Sequence, residues 1–151
     1  MQSRCQSGVI LRLAIGVLPL DEENNTWIVG QHRFPIDIYS WEIPEGGGPV
    51  LIEPLESAKR ELLEECGIKA ESWKKISECY MSNSGTDEKC YLFVAKNLSF
   101  HESAPDENEV LQVKKIPFEE LFRMVMENEI TDSLTIMAVL KAKILMDQNQ
   151  L

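Results

Sequence analysis

The sequence predicts an α/β fold, a mixed sheet flanked by helices. Segments of strand length bounded by turn residues fill much of the chain. Three further segments carry apolar residues at helical spacing. The two kinds are interleaved without the strict alternation of a doubly wound parallel sheet.

The elements follow in order. Val9 to Leu20 reads as a buried first strand, with Val9, Leu11 and Leu13 on one face. The polar turn Asp21-Glu22-Glu23-Asn24-Asn25 closes it, and residues 26–34 form a second strand, so the pair is expected as a hairpin. Pro35 ends that strand, because it cannot donate to a ladder. A short strand is expected around Trp41-Glu42-Ile43. Pro44-Glu45-Gly46-Gly47-Gly48-Pro49 reads as a loop, since three glycines between prolines disfavour helix and central strand.

Glu53 to Cys66 is the strongest helix of the first half. Leu55, Ala58, Leu62 and Cys66 make one apolar stripe, and Gly67 stops it. Strands are expected at 72–81, 89–96 and 110–116, with loops at 83–87 and 102–109. The end is helical. Phe118, Leu121, Phe122 and Val125 form one stripe, and Leu134, Met137, Ala138, Leu140, Lys141 and Leu145 mark another after Thr131. No repeat, low-complexity tract or linker divides the chain, so 151 residues are expected to form a single domain, 1–151.

Fifteen basic against twenty-five acidic residues give a net charge of −10. Such a surface argues against nucleic acid and anionic membrane as partners. It suits a protein that gathers carboxylates around a divalent cation. The apolar run at residues 9–20 contains Arg12 and Pro19 and is too short to span a bilayer. Arg12 and the lack of a small-residue cleavage site also argue against a secretory signal. The four cysteines form no C-x-x-C pair, so reduced thiols in a cytoplasmic protein are expected.

The chemical signal lies in Arg60-Glu61-Leu62-Leu63-Glu64-Glu65-Cys66-Gly67. On a helix, Glu61 neighbours both Glu64 and Glu65, and the three acids share a wedge of about 100° beside the apolar stripe. Like charges so placed destabilise a helix by about 0.2–0.5 kcal/mol per pair. A hard divalent cation removes that repulsion, and Mg²⁺ takes the rest of its shell from water and substrate phosphates. The plainer alternative is a solvated acidic face. A Gly-rich segment fourteen residues ahead of Arg60 and a glycine directly after the acids point away from it.

These residues resemble the Nudix box, G-x5-E-x7-R-E-U-x-E-E-x-G-U, with U a bulky aliphatic. Gly46, Arg60, Glu61, Leu62, Glu64, Glu65, Gly67 and Ile68 fill its positions. One position departs: the first glutamate of the box is Ile52 here, with Glu53 beside it as the candidate substitute. Residues 31–35, 39–49, 82–88 and 129–132 extend the resemblance to the ADP-ribose and nucleoside-diphosphate-sugar pyrophosphatase branch, with a shortened N-terminus.

The resemblance implies a Nudix-type α/β/α sandwich and hydrolysis of a diphosphate bond in ADP-ribose or a nucleotide sugar. It implies metal ligation by Glu61 and Glu65, with Glu64 assisting and the backbone carbonyl of Glu45 completing the site. The cation would be Mg²⁺, with Mn²⁺ as an alternative. Arg60 would orient the acids, and its fork suits that task. Arg33 would contact substrate phosphate, Glu88 the substrate, and Gly46 would open the box at the substrate. On the acidic loop, Glu109 would activate the attacking water, with Glu107 second. A small-molecule nucleotide substrate and a homodimer complete the expectation. Two alternatives stand beside it: a nucleoside triphosphate pyrophosphohydrolase of the same superfamily, and a weakly catalytic nucleotide-binding module.

Overall fold

A computed structural model of the chain describes residues 12–102 and 111–151. Seven strands and three helices appear among them, in the order β1 (Arg12–Pro19), β2 (Asn25–Arg33), β3 (Ile38–Glu42), β4 (Glu45–Pro49), α1 (Pro54–Cys66), β5 (Ile68–Tyr80), β6 (Lys89–Phe100), β7 (Gln112–Pro117), α2 (Phe118–Met126) and α3 (Ser133–Asp147).

The strands form two sheets. The larger has the order β4-β1-β6-β5 and the smaller β3-β2-β7. The larger sheet is mixed: β1 runs parallel to β6 and antiparallel to β4, and β5 and β6 are antiparallel. Alternation along β1 divides the core. Leu13, Ile15 and Val17 join Ala58 and Leu62 of α1 on one face. Leu18 and Leu92 join Leu134, Ala138, Val139 and Ala142 of α3 in a second cluster. A mixed sheet thus lies between helices, as the sequence predicts.

Two local expectations are overturned. β1 and β2 do not pair as a hairpin; they belong to different sheets. The turn between them is tight, with Asp21 N–H donating to Asn25 O at 3.0 Å. Both edges of β1 are already taken, by β4 and by β6, so β2 has no edge to join. The second correction concerns residues 44–49. Glu45–Pro49 is a strand, paired with β1 from Arg12↔Pro49 to Gly16↔Glu45. It is an edge strand, where a proline at the end removes no essential ladder bond.

The strand β5 begins at Ile68, earlier than expected, because Gly67 turns the chain in one residue. Gly67 has φ 65°, and its N–H caps the carbonyls of Leu62 and Leu63. Ile68 is then fully buried and paired with Phe100. The thiols of Cys66, Cys79 and Cys90 are free, and burial pushes the Cys90 thiol up to about 12.

Candidate active site

One wall of the site is the inner side of α1. Glu61 and Glu65 are only 8% and 7% exposed, so they are no solvated face. They point toward β4. Glu65 Oε2 accepts from the Glu45 N–H at 3.0 Å. At Gly46 a Cβ would lie 2.3 Å from the Glu61 carboxylate. That glycine exists here because the acid occupies the space a side chain would need. At Gly48 the same construction meets Ser57 Oγ at 2.6 Å, while at Gly47 it finds only ordinary contacts. Helix α1 thus lies on two of the three glycines, which local composition does not reveal.

Arg60 stands at the rim. Its Nη2 donates to Gly47 O at 2.9 Å and to Glu61 Oε1 at 2.6 Å, and its Nη1 is 3.7 Å from Glu64 Oε2. It ties α1 to β4 and fixes the Glu61 rotamer. These groups line a cleft of about 680 Å³ together with Glu45, Glu65, Arg12 and Ser57. The carboxylate set is oxygen-only and turned inward, which fits a hard divalent cation. Ile52 also lines this cleft. Glu53 does not; it is the N-cap residue of α1, exposed, and lines a neighbouring groove. The substitute expected next to Ile52 is therefore not placed in the cleft.

The second wall is assembled from distant segments. Arg33, at the end of β2 and paired there with Ile38, sends its side chain back along β3 to Glu42 at the far end of that strand. Its Nε donates to Glu42 Oε1 at 2.9 Å and its Nη2 to Glu42 Oε2, a bidentate pair. Nη2 also reaches Glu45 Oε1 at 3.0 Å. Carboxylate oxygens of Glu42, Glu45 and Asp132 lie within 4.8 Å of one another. Hydrogen bonds to Glu42 hold Arg33 firmly charged. Burial alone would raise the Glu42 carboxyl, but hydrogen bonds from Arg33 and Ser40 hold it below its usual range. Glu45 goes the other way: burial first, then the charges of Asp132 and Glu42, lift it well above the carboxylate range. Its Oε2 is buried without a hydrogen-bond partner among the described residues.

Arg33, Glu45, Gly46, Glu65 and Glu88 line a cavity of about 350 Å³ with Gln31 and Met81. Glu45, Gly46, Gly47 and Glu65 line both this cavity and the acidic cleft, so the two are contiguous. The structure therefore brings Arg60, Glu61, Glu64, Glu65, Glu45, Gly46, Arg33 and Glu88 into one region. Glu107 and Glu109 lie outside the described residues. Arg33 sits at the cavity, but two of its nitrogens are already engaged by carboxylates.

Sequence reasoning missed Glu42, Asp132 and Thr135. Asp132 has a readable local signal: it precedes the apolar run of α3 and caps that helix, accepting from Thr135 N–H at 2.7 Å. Nothing local places it beside Glu42.

The comparisons with known proteins agree with this geometry. The NUDIX domain family matches residues 10–135. An ADP-ribose pyrophosphatase of Bacillus subtilis is 34% identical over 128 residues, covering 83% of this chain and 69% of that protein. A methanol dehydrogenase activator of Bacillus methanolicus shows the same identity and coverage. A GDP-mannose pyrophosphatase of Yersinia enterocolitica is 35% identical over 94 residues, 60% of this chain and about half (49%) of that protein. Among solved structures, an ADP compounds hydrolase superposes with a TM-score of 0.82 at 19% identity, covering 95% of this chain and 77% of that one. That last likeness establishes the fold. The family match spans well over half of the sequence, and the chain belongs to the NUDIX domain family as a Nudix hydrolase.

Proposed function

We propose that the chain hydrolyses the diphosphate bond of a nucleoside diphosphate linked to another group, ADP-ribose or a nucleotide sugar, giving a nucleoside monophosphate and a sugar phosphate. The observation that carries this reading is the shared wall: an acidic cleft and a second cavity meet at Glu45, Gly46 and Glu65. A bridging diphosphate at that junction would have the carboxylates on one side and Arg33, Gln31 and Glu88 on the other. The ADP-ribose and GDP-mannose pyrophosphatases similar to this chain support the substrate class.

Glu61 and Glu65, with Glu64 and the Glu45 backbone, would hold Mg²⁺ or Mn²⁺; their burial and inward aim support the assignment. When bound, the ion neutralises diphosphate charge and lowers the pKa of bound water. Arg60 keeps the Glu61 carboxylate in one orientation, so little reorganisation is needed. Arg33, preset by Glu42 and Glu45, presents its remaining edge to a phosphate oxygen. Glu109, or failing it Glu107, accepts the proton of the attacking water. Glu88 and Gln31 accept and donate to sugar hydroxyls.

The same reading takes the working unit as one Nudix domain, cytoplasmic and homodimeric, on family grounds. Among the described residues no helix is long and apolar enough to cross a membrane. A second reading, a nucleotide-binding module of low activity, draws on Ile52, which puts an aliphatic side chain into the acidic cleft.

A panel of ADP-ribose, nucleotide sugars and nucleoside triphosphates with Mg²⁺ tests the proposal. Nucleoside monophosphate plus sugar phosphate is the expected outcome. Monophosphate plus pyrophosphate from triphosphates would move the assignment to a triphosphate pyrophosphohydrolase. Tight binding without turnover would favour the binding module.

A further inference from the structure

The bend from β3 into β4 carries both Glu42 and Glu45, and its backbone is gripped at three consecutive residues. The Ile43 N–H donates to Thr135 Oγ1 at 2.9 Å. Pro44 O accepts from the Val17 N–H at 2.9 Å. The Glu45 N–H donates to Glu65 Oε2 at 3.0 Å. The second grip comes from the central sheet and the third from α1. The first comes from α3, an element to which nothing so far gives a functional task. Thr135 and Ile43 are both fully buried. The Thr135 hydroxyl is used in both directions, since it donates to Asp132 Oδ2 at 2.7 Å while accepting from Ile43. Asp132 thereby fixes the direction of the hydroxyl: a carboxylate accepts only, so the lone pair is left for Ile43.

We propose that Thr135, oriented by Asp132, is a positioning residue for the hydrolytic site. Through Ile43 it sets where Glu45 meets Glu65 and where Glu42 and Glu45 hold Arg33. Without the hydroxyl the buried Ile43 N–H has lost its acceptor, and the bend shifts to find another. Ile43 is two residues from Glu45, so the shift reaches the wall shared by cleft and cavity. Supporting groups of this kind cost about 10–100-fold in metal affinity or activity when removed.

The kinetic arm rests on the hydrolase reading above; a metal-binding arm does not. Thr135→Val keeps the shape and removes both hydrogen bonds. It is expected to lower kcat about 10–100-fold with KM changed less, and to weaken binding of Mn²⁺ alone by about tenfold or more, measured by calorimetry or electron paramagnetic resonance. Thr135→Ser is expected to restore both to within about threefold, because it keeps the hydroxyl. Val139→Ala, elsewhere in the α3 core, is expected to lower Tm while leaving kcat and Mn²⁺ affinity as in the wild type. Should Thr135→Val not fold, Thr135→Ala decides, with a loss in the same direction that Thr135→Ser does not share. Wild-type kcat and Mn²⁺ affinity in Thr135→Val would overturn the proposal, as would losses matched by Val139→Ala. If the wild type hydrolyses nothing in the substrate panel, the hydrolase reading falls alone, and the Mn²⁺ comparison still judges Thr135.

Discussion

The two walls of the site are built by opposite strategies. On α1, Arg60, Glu61, Glu64 and Glu65 fall within six consecutive residues, and fewer than two turns of helix aim them together. Across the cleft, Arg33, Glu42, Glu45, Asp132 and Thr135 come from β2, β3, β4 and the start of α3, up to 102 positions apart. The first wall is a local pattern that any helix of this sequence would display. The second exists only once two sheets and α3 have packed. A change on α1 should therefore strike chemistry first, and a change on the other wall should strike stability and chemistry together.

The largest expected effect tests the local wall. Glu65→Gln removes a carboxylate and weakens the grip on the Glu45 N–H. Turnover is expected to fall about a thousandfold, or about 4 kcal/mol of barrier, with the fold retained by circular dichroism. Unchanged turnover would remove Glu65 from the metal site.

The glycines give the next contrast. Gly46→Ala places a methyl on the Glu61 carboxylate, with an expected cost of about 1–3 kcal/mol in stability and a large drop in activity. Gly47→Ala meets only ordinary contacts and is expected to be neutral or stabilising by about 0.4–1 kcal/mol. Equal effects at the two sites, read by thermal melts and kcat, would show that α1 does not lie on β4 as described.

Arg33→Ala tests the assembled wall. It strands Glu42, 3% exposed, beside Glu45. A fully buried pair would cost about 3–5 kcal/mol, and about 2–3 kcal/mol is expected here because Arg33 itself is 37% exposed. The sign with pH follows. Once unpaired, both carboxyls sit above their unfolded value of 4.5, so the deficit is full at neutral pH and shrinks as pH falls toward that value. Denaturant melts at pH 7 and pH 5 would show it; a deficit growing on acidification would contradict the pairing.

Farther from the site, Asp21 supplies the smallest effect. Burial alone would raise its carboxyl, but Lys115 and Asn25 hydrogen bonds hold it down to about 2. Asp21→Asn is expected to cost about 1 kcal/mol or less at pH 7. Because the folded pKa is depressed, that contribution is present above 3.8 and fades as pH falls toward about 2.

How much was legible follows the same division. The helix, its cap at Gly67 and the acids of α1 are readable because each depends on spacing within one element. A tight turn between β1 and β2 suggests a hairpin, yet β1 has both edges occupied by β4 and β6. Residues 44–49 read as a loop because three glycines between prolines disfavour helix and central strand, whereas the segment is an edge strand in which Gly46 and Gly48 leave room for Glu61 and Ser57. Arg33 is recognisable as a strand-end cation, but its tie to Glu42 runs diagonally along β3, off the Arg33↔Ile38 register pair, so no strand pattern shows it. The partnership of Thr135 with Ile43, 92 residues apart, has no local trace.

The most direct test of the central claim is a crystal structure grown with Mn²⁺, located by its anomalous signal. A peak bonded to Glu61 and Glu65 and facing the Glu45 backbone is expected. A peak seated instead among Glu42, Glu45 and Asp132, or none at all in a cleft open to solvent, would contradict it.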